Sequence, residues 1–185
     1  MEKVRKLKEM ARNSIGARDY PTYHFQFIIR LMLHHQKLVD GIIETMKEEL
    51  KKSPYFRLLG LYGYNTVSLA QIVGEVGDIR RFPNHKKFIK YIGLDIAEAR
   101  SGSSIHKRSY ITKKGNKILR GLFYNMVLVH LAYKRPPIYD FFDRLKANGK
   151  HAKQCMVACA RKLAVMTYYE MLKCHEVVKN ESNSI

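Results

Sequence analysis

Residues 93–120, GLDIAEARSGSSIHKRSYITKKGNKILR, combine a small-residue loop, a run of cations and the beginning of a long apolar helix. The loop reads SGSS at 101–104 and offers three hydroxyl groups on a pliable backbone. From Arg80 to Arg120 the sequence holds twelve Lys or Arg residues, against Asp95 and Glu98 as carboxylates. Hydroxyl groups among cations suit a phosphodiester backbone, so this stretch predicts contact with nucleic acid.

The composition of the whole chain supports the same interpretation. The 185 residues carry a net charge of +18, and 46% of them are apolar, which is enough for a hydrophobic core. The charge predicts salt-sensitive binding to polyanions, with an anionic membrane surface as the less favoured alternative to nucleic acid. No apolar run reaches the length of a membrane span, and no membrane partner is expected. The three cysteines indicate a reducing, cytoplasmic location and not a disulfide framework.

The periodicity of apolar residues predicts an all-α fold that begins with a long, coiled-coil-like helix at about 22–52. We assign residues 1–52, which also include a short amphipathic helix at 1–13, to an N-terminal linker or oligomerisation region. The apolar seam of the long helix can pair with another copy of the chain, giving a homo-oligomer, or pack within the same chain. The seam consists of Ile28, Leu31, Met32, Leu38, Val39, Ile42, Met46 and Leu50.

Residues 53–185 are predicted to form a second helical domain that opens with a helix-hairpin-helix. A short helix to Leu59, a turn at 60–65 and a helix from Thr66 to Glu75 give this pattern, with Thr66 as the N-cap. The following helix N-terminus could bind a phosphate, although such hairpins also serve as plain connectors. Asn84 is predicted to cap the next helix, and 109–111 to be a short extended piece.

Two long apolar helices are predicted in the remainder of this domain. Thr112 is the expected N-cap of a helix from Lys113 to Ala132, whose apolar residues cover most of its circumference and place it at the centre of the core. The last helix is expected from Ala152 to Cys174, followed by a frayed polar tail. His151, Cys155 and Cys159 have a spacing that zinc could use, but small thiols in a buried helix are the preferred interpretation, and no metal site is predicted.

Several motifs occur in a characteristic order: EVGDIRRF, KFIKYIGL, SG in a polar loop, ITKKGNKILRGLFYNM, YDFFDRLKANGK and ACARKLAVMTYYEML. In this order they resemble the C-terminal transposase domain of the insertion-sequence one-ten family, the group that includes pilin-gene invertases. The resemblance covers roughly residues 53–172. The helix before it is similar to the coiled-coil region that joins this domain to the family's acidic RuvC-like domain, which is missing from this sequence.

The resemblance implies that a serine in the SG loop attacks the scissile phosphodiester of DNA, which assigns the nucleophile to Ser101, with Ser103 and Ser104 as rivals. It also implies a four-carboxylate Mg²⁺ site on the RuvC-like domain and a guide RNA as a partner. No cofactor is therefore expected in this chain, and Mg²⁺ only with the acidic domain; the chain alone is expected to bind DNA and to cleave it poorly or not at all. The family's hairpin glycines fall on Gly63 and Asn65.

The main hypothesis is a serine-bearing, DNA-binding half of a mobile-element transposase or recombinase. The alternatives are a non-catalytic nucleic-acid-binding module with the same basic face, and an assembly domain that acts through the long helix. The residues predicted to contact DNA are Gly63, Asn65, Thr66, Arg100, Lys107, Arg108, Thr112, Lys113, Lys114, Asn116, Lys117 and Arg120.

Overall fold

A computed structural model describes residues 5, 6, 9, 22–98 and 109–182, with side-chain surroundings for 5, 6, 9, 26–96 and 111–177. Six long helices dominate this part of the chain, so the prediction of an all-α fold is confirmed, with one small sheet added. The helices are α1 (Thr22–Lys51), α2 (Thr66–Val76), α3 (His85–Ile92), α4 (Lys117–Ala132), α5 (Ile138–Ala147) and α6 (Ala152–Ser182).

The chain divides into two compact units, Met1–Glu48 and Glu49–Ile185, so the division falls within α1, slightly ahead of the predicted boundary after residue 52. In the first unit, the predicted seam of α1 is solvent-exposed along most of its length. Leu38 and Ile42 keep 51% and 56% of their surface exposed, as typical members of this set. The exposed seam residues are Ile28, Leu31, Met32, Leu38, Val39 and Ile42, which we call the α1 stripe.

The core of the second unit forms around α6, which packs against α3, α4, α5 and a 3-10 helix at Pro54–Leu58. Residues four apart lie on one face of a helix, and α4 and α6 both place such residues in the core. These residues have no exposed surface: Leu119, Phe123 and Val127 of α4, and Cys159, Leu163 and Met171 of α6.

Two of the predicted N-caps are wrong by a few residues. α4 begins at Lys117 with Asn116 as its cap, because Lys113 has a left-handed φ of 56° that an α-helix cannot contain. The hydroxyl of Thr112, the predicted cap, instead donates to the Asp95 carboxylate.

α2 begins at Thr66, but its cap is Asn65. The Asn65 side chain accepts from the Ser68 amide at 2.8 Å, and the Ser68 hydroxyl accepts from the Asn65 amide at 3.0 Å. This reciprocal capping box satisfies two donors at once, which Thr66 one residue later could not do. The predicted cap at Asn84 is confirmed, since its side chain accepts from the Lys87 amide.

The last helix is longer than predicted, since α6 continues from Cys174 to Ser182 and the frayed tail was placed too early. Glu176, Lys179 and Glu181 are polar, but they are good helix formers, and no Gly or Pro interrupts them. None of the described helices is long and apolar enough to cross a lipid bilayer.

A two-stranded antiparallel sheet pairs β1 (Ile96–Glu98) with β2 (Ser109–Ile111). The extended piece at 109–111 is therefore confirmed, whereas β1 was missed because three residues are too few for a periodic signal. Glu98 faces Ser109 across the ladder, so the sheet joins the two ends of the segment 99–108. Ser101 lies in that segment, outside the described residues.

The segment ahead of α2 contains two 3-10 helices, Pro54–Leu58 and Leu61–Gly63, separated by Gly60 in the left-handed region. The first occupies the place of the short helix predicted to end at Leu59. The turn brings Gly63, at φ 76°, so close to the Arg135 guanidinium that a Cβ would lie 2.7 Å from Nη1. Phosphate binding by this turn stays a prediction.

Candidate nucleic-acid interface

The turn from Thr112 to Arg120 carries half of the predicted DNA-contacting residues, and Asn116 is its most connected member. The Asn116 side-chain oxygen accepts from the amides of Ile118 and Leu119 at 2.9 and 3.0 Å, which caps α4. Its side-chain nitrogen donates to the Glu75 carboxylate of α2 at 2.5 Å. Its backbone amide donates to the Tyr91 carbonyl of α3 at 2.8 Å. One residue thus joins three helices.

Gly115 allows the turn to lie directly on the end of α3. A Cβ at this position would come within 2.4 Å of the Tyr91 carbonyl oxygen and 2.6 Å of the Gly93 amide nitrogen. Both neighbours are backbone atoms, which cannot swing away as a side chain can. The close approach therefore requires glycine and fixes the height of the turn above α3.

Arg120 fastens the same turn from the α4 side. Its Nη1 donates to the Ile92 carbonyl at 3.1 Å and to the Lys113 carbonyl at 3.2 Å. The Ile92 carbonyl ends α3, where a positive charge is favoured by the helix dipole. The predicted DNA-contacting role of Arg120 therefore competes with a structural one.

The turn is also continuous with the sheet. The Thr112 amide donates to the Asp95 carbonyl at 3.0 Å, one step beyond the last strand pair. The Thr112 hydroxyl donates to the Asp95 carboxylate at 2.5 Å. Asp95 thus holds Thr112 by both its backbone and its side chain, which ties the turn to the sheet.

The lysines of the turn differ from Asn116 and Arg120 in their surroundings. Lys113, Lys114 and Lys117 are exposed to solvent. They lie at the N-terminus of α4, whose first turn contains no acidic residue and whose dipole adds a partial positive charge. Such an end attracts phosphate. Three further exposed lysines, Lys86, Lys87 and Lys90, lie on α3, the helix to which the turn is hydrogen-bonded.

The GDIRRF motif forms a second fixed turn after α2. Asp78 caps the 3-10 helix Ile79–Arg81 and accepts two bonds from the Arg80 side chain, so that the pKa of its carboxyl falls to about 2. The Tyr55 hydroxyl accepts from the Ile79 amide at 3.0 Å and bonds His175 of α6 at 2.7 Å. Sequence reasoning missed Tyr55 and His175 because their connection to this motif is non-local.

The predicted contacts around α2 have mixed surroundings. Asn65 is exposed, yet its side chain is used by the capping box, and Thr66 is half-buried. His130 of α4 is buried and its Nε2 lies 2.8 Å from the Tyr62 carbonyl, which supports the turn next to Gly63. In the sequence, the signal for this close packing is Gly63, two positions before the cap residue Asn65.

Six of the predicted site residues lie outside the described part of the chain. Their positions relative to the turn at 112–120 are therefore not described. They are Arg100, Ser101, Ser103, Ser104, Lys107 and Arg108.

The cysteines and histidines do not form a metal site in the part of the chain that the structure describes. No group of three His, Cys, Asp or Glu side chains there could hold a metal ion. Cys155 and Cys159 are buried, and burial raises the pKa of the Cys159 thiol to about 11, which opposes the thiolate that zinc requires.

Comparison with known proteins identifies the domain to which this turn belongs. The Transposase IS116/IS110/IS902 family matches residues 56–143. The chain is also 31% identical, over 106 residues, to the pilin gene-inverting proteins of Moraxella bovis and Moraxella lacunata. The matched region covers 57% of this chain and 33% of each of these relatives, so the chain spans about a third of their length. Residues 56–143, which include the turn at 112–120, are therefore similar to the Transposase IS116/IS110/IS902 family.

Proposed function

We propose that this chain is the DNA-binding, serine-bearing half of a mobile-element transposase or site-specific recombinase. The observation that carries the proposal is the clamped turn at 112–120, which exposes three lysines next to the sheet that brackets the serine loop. From Ser109 to Thr112 the extended chain covers about 10 Å at roughly 3.3 Å per residue. The serine segment is therefore attached within a short distance of cations that can bind a phosphate.

The reaction would proceed by attack of the Ser101 Oγ on a DNA phosphorus atom, with Ser103 and Ser104 as rival nucleophiles. The Oγ–P bond forms, the P–O bond to one DNA strand breaks, the serine proton passes to a base, and the departing DNA oxygen takes up a proton. The product is a phosphoserine ester that a DNA hydroxyl can later attack. The phosphoserine ester retains the energy of the cleaved phosphodiester bond, so strand transfer needs no energy-supplying cofactor.

Lysines in the turn would stabilise the negative charge that grows on the phosphate oxygens. Mg²⁺ would be held by the acidic RuvC-like domain of the family, because no cluster of metal ligands exists among the described residues of this chain. The serine-bearing chain would act only together with that domain.

Assembly would bring these parts together. The α1 stripe is exposed and has the spacing of a coiled-coil seam, which supports a homo-oligomer through this helix. DNA is the proposed substrate, and a guide RNA from the same element is a further proposed partner.

The test is to supply the acidic domain in trans with Mg²⁺ and nicked or cruciform DNA. A covalent protein–DNA adduct is expected with the wild-type chain and with Ser103→Ala and Ser104→Ala, and it should disappear in Ser101→Ala. If the adduct instead disappears in Ser103→Ala or Ser104→Ala, the reaction class stands and the residue assignment is wrong.

A non-catalytic nucleic-acid-binding module is the second candidate function. The exposed lysines and the helix N-terminus at the start of α4 fit this function as well, because phosphate binding needs no nucleophile. Salt-sensitive DNA binding with no adduct under any of these conditions would favour this module over the recombinase.

A further inference from the structure

Helix α3 presents only lysine side chains to solvent, and its remaining residues are buried or half-buried. The exposed residues are Lys86, Lys87 and Lys90. At 100° per residue their side chains span an arc of about 100°, opposite to the side that Phe88 and Ile92 bury. Residues 79–94 contain five Lys or Arg residues and no Asp or Glu, so no carboxylate within this segment balances the positive charge.

The lysines of α3 have an arrangement that is unfavourable for an isolated helix. Lys86 and Lys87 lie in the first turn, which contains no acidic residue, and the helix dipole opposes positive charge there. Lys90 follows Lys86 by four positions and Lys87 by three, and like charges at these spacings repel each other. A bound polyanion would relieve both unfavourable effects.

Arg81 adds a fourth cation next to this helix. Its guanidinium carbon lies 4.8 Å from the centre of the Tyr91 ring of α3 and 4.6 Å from the centre of the Phe82 ring. Arg81 is exposed, and among the residues that the structure describes no carboxylate forms an ion pair with it. The two rings hold the guanidinium in place, so it loses little conformational freedom when it binds a ligand.

Arg80, the preceding residue, has the same side chain in different surroundings. It donates from Nε to Oδ1 of Asp78 at 3.0 Å and from Nη2 to Oδ2 at 2.6 Å. The charge of Arg80 is therefore balanced within the fold, whereas no described carboxylate does this for Arg81. The two neighbouring arginines thus provide a matched pair for experiment.

The ring beneath Arg81 is joined to the clamped turn. The Tyr91 hydroxyl donates to the Glu75 carbonyl at 3.0 Å, and the Tyr91 carbonyl accepts from the Asn116 amide at 2.8 Å. Asn116 in turn caps α4, whose first residue is Lys117. Direct contacts therefore run from Arg81 through α3 to the lysines of the turn.

We propose that Arg81, Lys86, Lys87 and Lys90, which we call the α3 basic face, bind the phosphate backbone of the same DNA molecule that contacts the clamped turn. This inference rests on the proposed function, because it extends the DNA contact from one element to two. A guanidinium offers paired donors to a phosphate, and the lysine ammonium groups act beside it as point charges. Contacts of this kind position a duplex and carry no sequence information.

The test is the salt dependence of the affinity of the full chain for a DNA duplex. Arg81→Gln should reduce the slope of log affinity against log salt concentration by about 1, the value for one lost phosphate contact. The matched control is the double variant Asp78→Asn with Arg80→Gln, which removes an arginine but keeps the net charge, and it should leave the slope unchanged. An equal reduction in both would overturn the proposal.

The lysines of the α3 basic face are tested by the double variant Lys87→Gln with Lys90→Gln. Both positions are exposed, so folding should stay intact, and the slope should fall by about 2. Lys146→Gln with Lys150→Gln removes the same charge from exposed positions on other elements and should change the slope less. Equal reductions would mean that only the net charge matters, which would contradict a defined contact surface.

Combined variants test whether one DNA molecule contacts both elements. Arg81→Gln with Lys117→Gln should reduce the slope by about 2, because the two phosphate contacts are made at the same time. A reduction no larger than that of either single variant would contradict simultaneous contact. An RNA duplex of the same sequence is the second ligand, and a loss of slope in Arg81→Gln for RNA but not for DNA would overturn the proposal.

Failure of the α3 basic face can be distinguished from failure of the proposed function. If Lys114→Gln with Lys117→Gln reduces the slope while the Arg81 and α3 variants do not, the α3 basic face is wrong and the turn still binds DNA. If the wild-type chain shows no salt-dependent affinity for DNA, the proposed function is wrong, and the α3 basic face with it.

Discussion

The turn at 112–120 and the α1 stripe assign opposite roles to polar and apolar residues. In the turn, polar Asn116 and Arg120 face other elements and bond their backbone and side chains. In the stripe, apolar Leu38 and Ile42 are more than half exposed. Polarity alone therefore does not separate residues that hold the fold together from residues that stay on its surface. What separates them is whether neighbouring elements supply partners.

The largest effect should come from replacing a core leucine by alanine, compared with the same change in the α1 stripe. Leu163 in α6 has no exposed surface, and Leu163→Ala should cost about 3 kcal/mol of unfolding free energy through lost burial and a cavity. Leu38→Ala, the same change in the stripe, should cost less than about 0.5 kcal/mol in dilute protein. Urea unfolding measures both, and equal costs would show that the stripe is packed as tightly as the core.

A comparable effect is expected from Gly115→Ala. The added methyl group would meet the Tyr91 and Gly93 backbone, so the turn must move, at a cost of about 2–3 kcal/mol. Gly74→Ala in the open surroundings of α2 should instead stabilise by about 0.5–1 kcal/mol. Melting curves of the two variants should shift in opposite directions. A neutral Gly115→Ala would mean that the turn is not clamped.

Asn116→Ala should cost about 2 kcal/mol, since it removes a helix cap, worth about 1 kcal/mol, and a bond to the Glu75 carboxylate. Asn84→Ala is the matched change, because Asn84 caps α3 but holds no second helix in the same way, and it should cost about 1 kcal/mol. Denaturant titrations compare the pair. Equal losses would imply that the Glu75 bond contributes nothing.

The smallest effect concerns Asp78. Arg80 hydrogen bonds lower the pKa of this carboxyl from 3.8 to about 2 in the folded protein. Because the folded value lies below the unfolded one, the stabilisation is present above about pH 4 and is lost as the pH falls through 2. Asp78→Asn should flatten this part of the stability curve, and Arg80→Gln should do the same. If the pH dependence of stability is unchanged in both variants, the Asp78–Arg80 contact does not stabilise this turn.

Much of the fold could be predicted because long apolar periodicity defines a helix locally. This signal predicts the positions of α1 and of the start of α6, the Asn84 cap predicts α3, and charge alone predicts the lysines at 113–117. The start of α4 could not be predicted, because Thr112 and Asn116 are both good cap residues. Contacts with Asp95 and Glu75, which are distant in sequence, decide between them.

The site itself could be predicted only in part for the same reason. Charge identifies Lys114 and Lys117 as candidates for phosphate contact, and they are exposed. Charge also selects Arg120, whose guanidinium is held by two carbonyls that no sequence pattern connects to it. The prediction that α4 lies at the centre of the core is wrong for one side of the helix, where Ile118, Leu128 and Val129 are exposed, because apolar residues around a helix do not require burial on all sides.

The clamped turn should present its lysines to DNA, and the salt dependence of DNA affinity measures this contact. The double variant Lys114→Gln with Lys117→Gln should leave the free energy of unfolding unchanged. It should reduce the slope of log affinity against log salt concentration by about 1–2, because each lost phosphate contact releases about one counterion fewer. Lys146→Gln with Lys150→Gln removes the same charge elsewhere and should change the slope less. Equal slopes for the two double variants, or an affinity that does not depend on salt, would show that the lysines of the turn do not contact DNA.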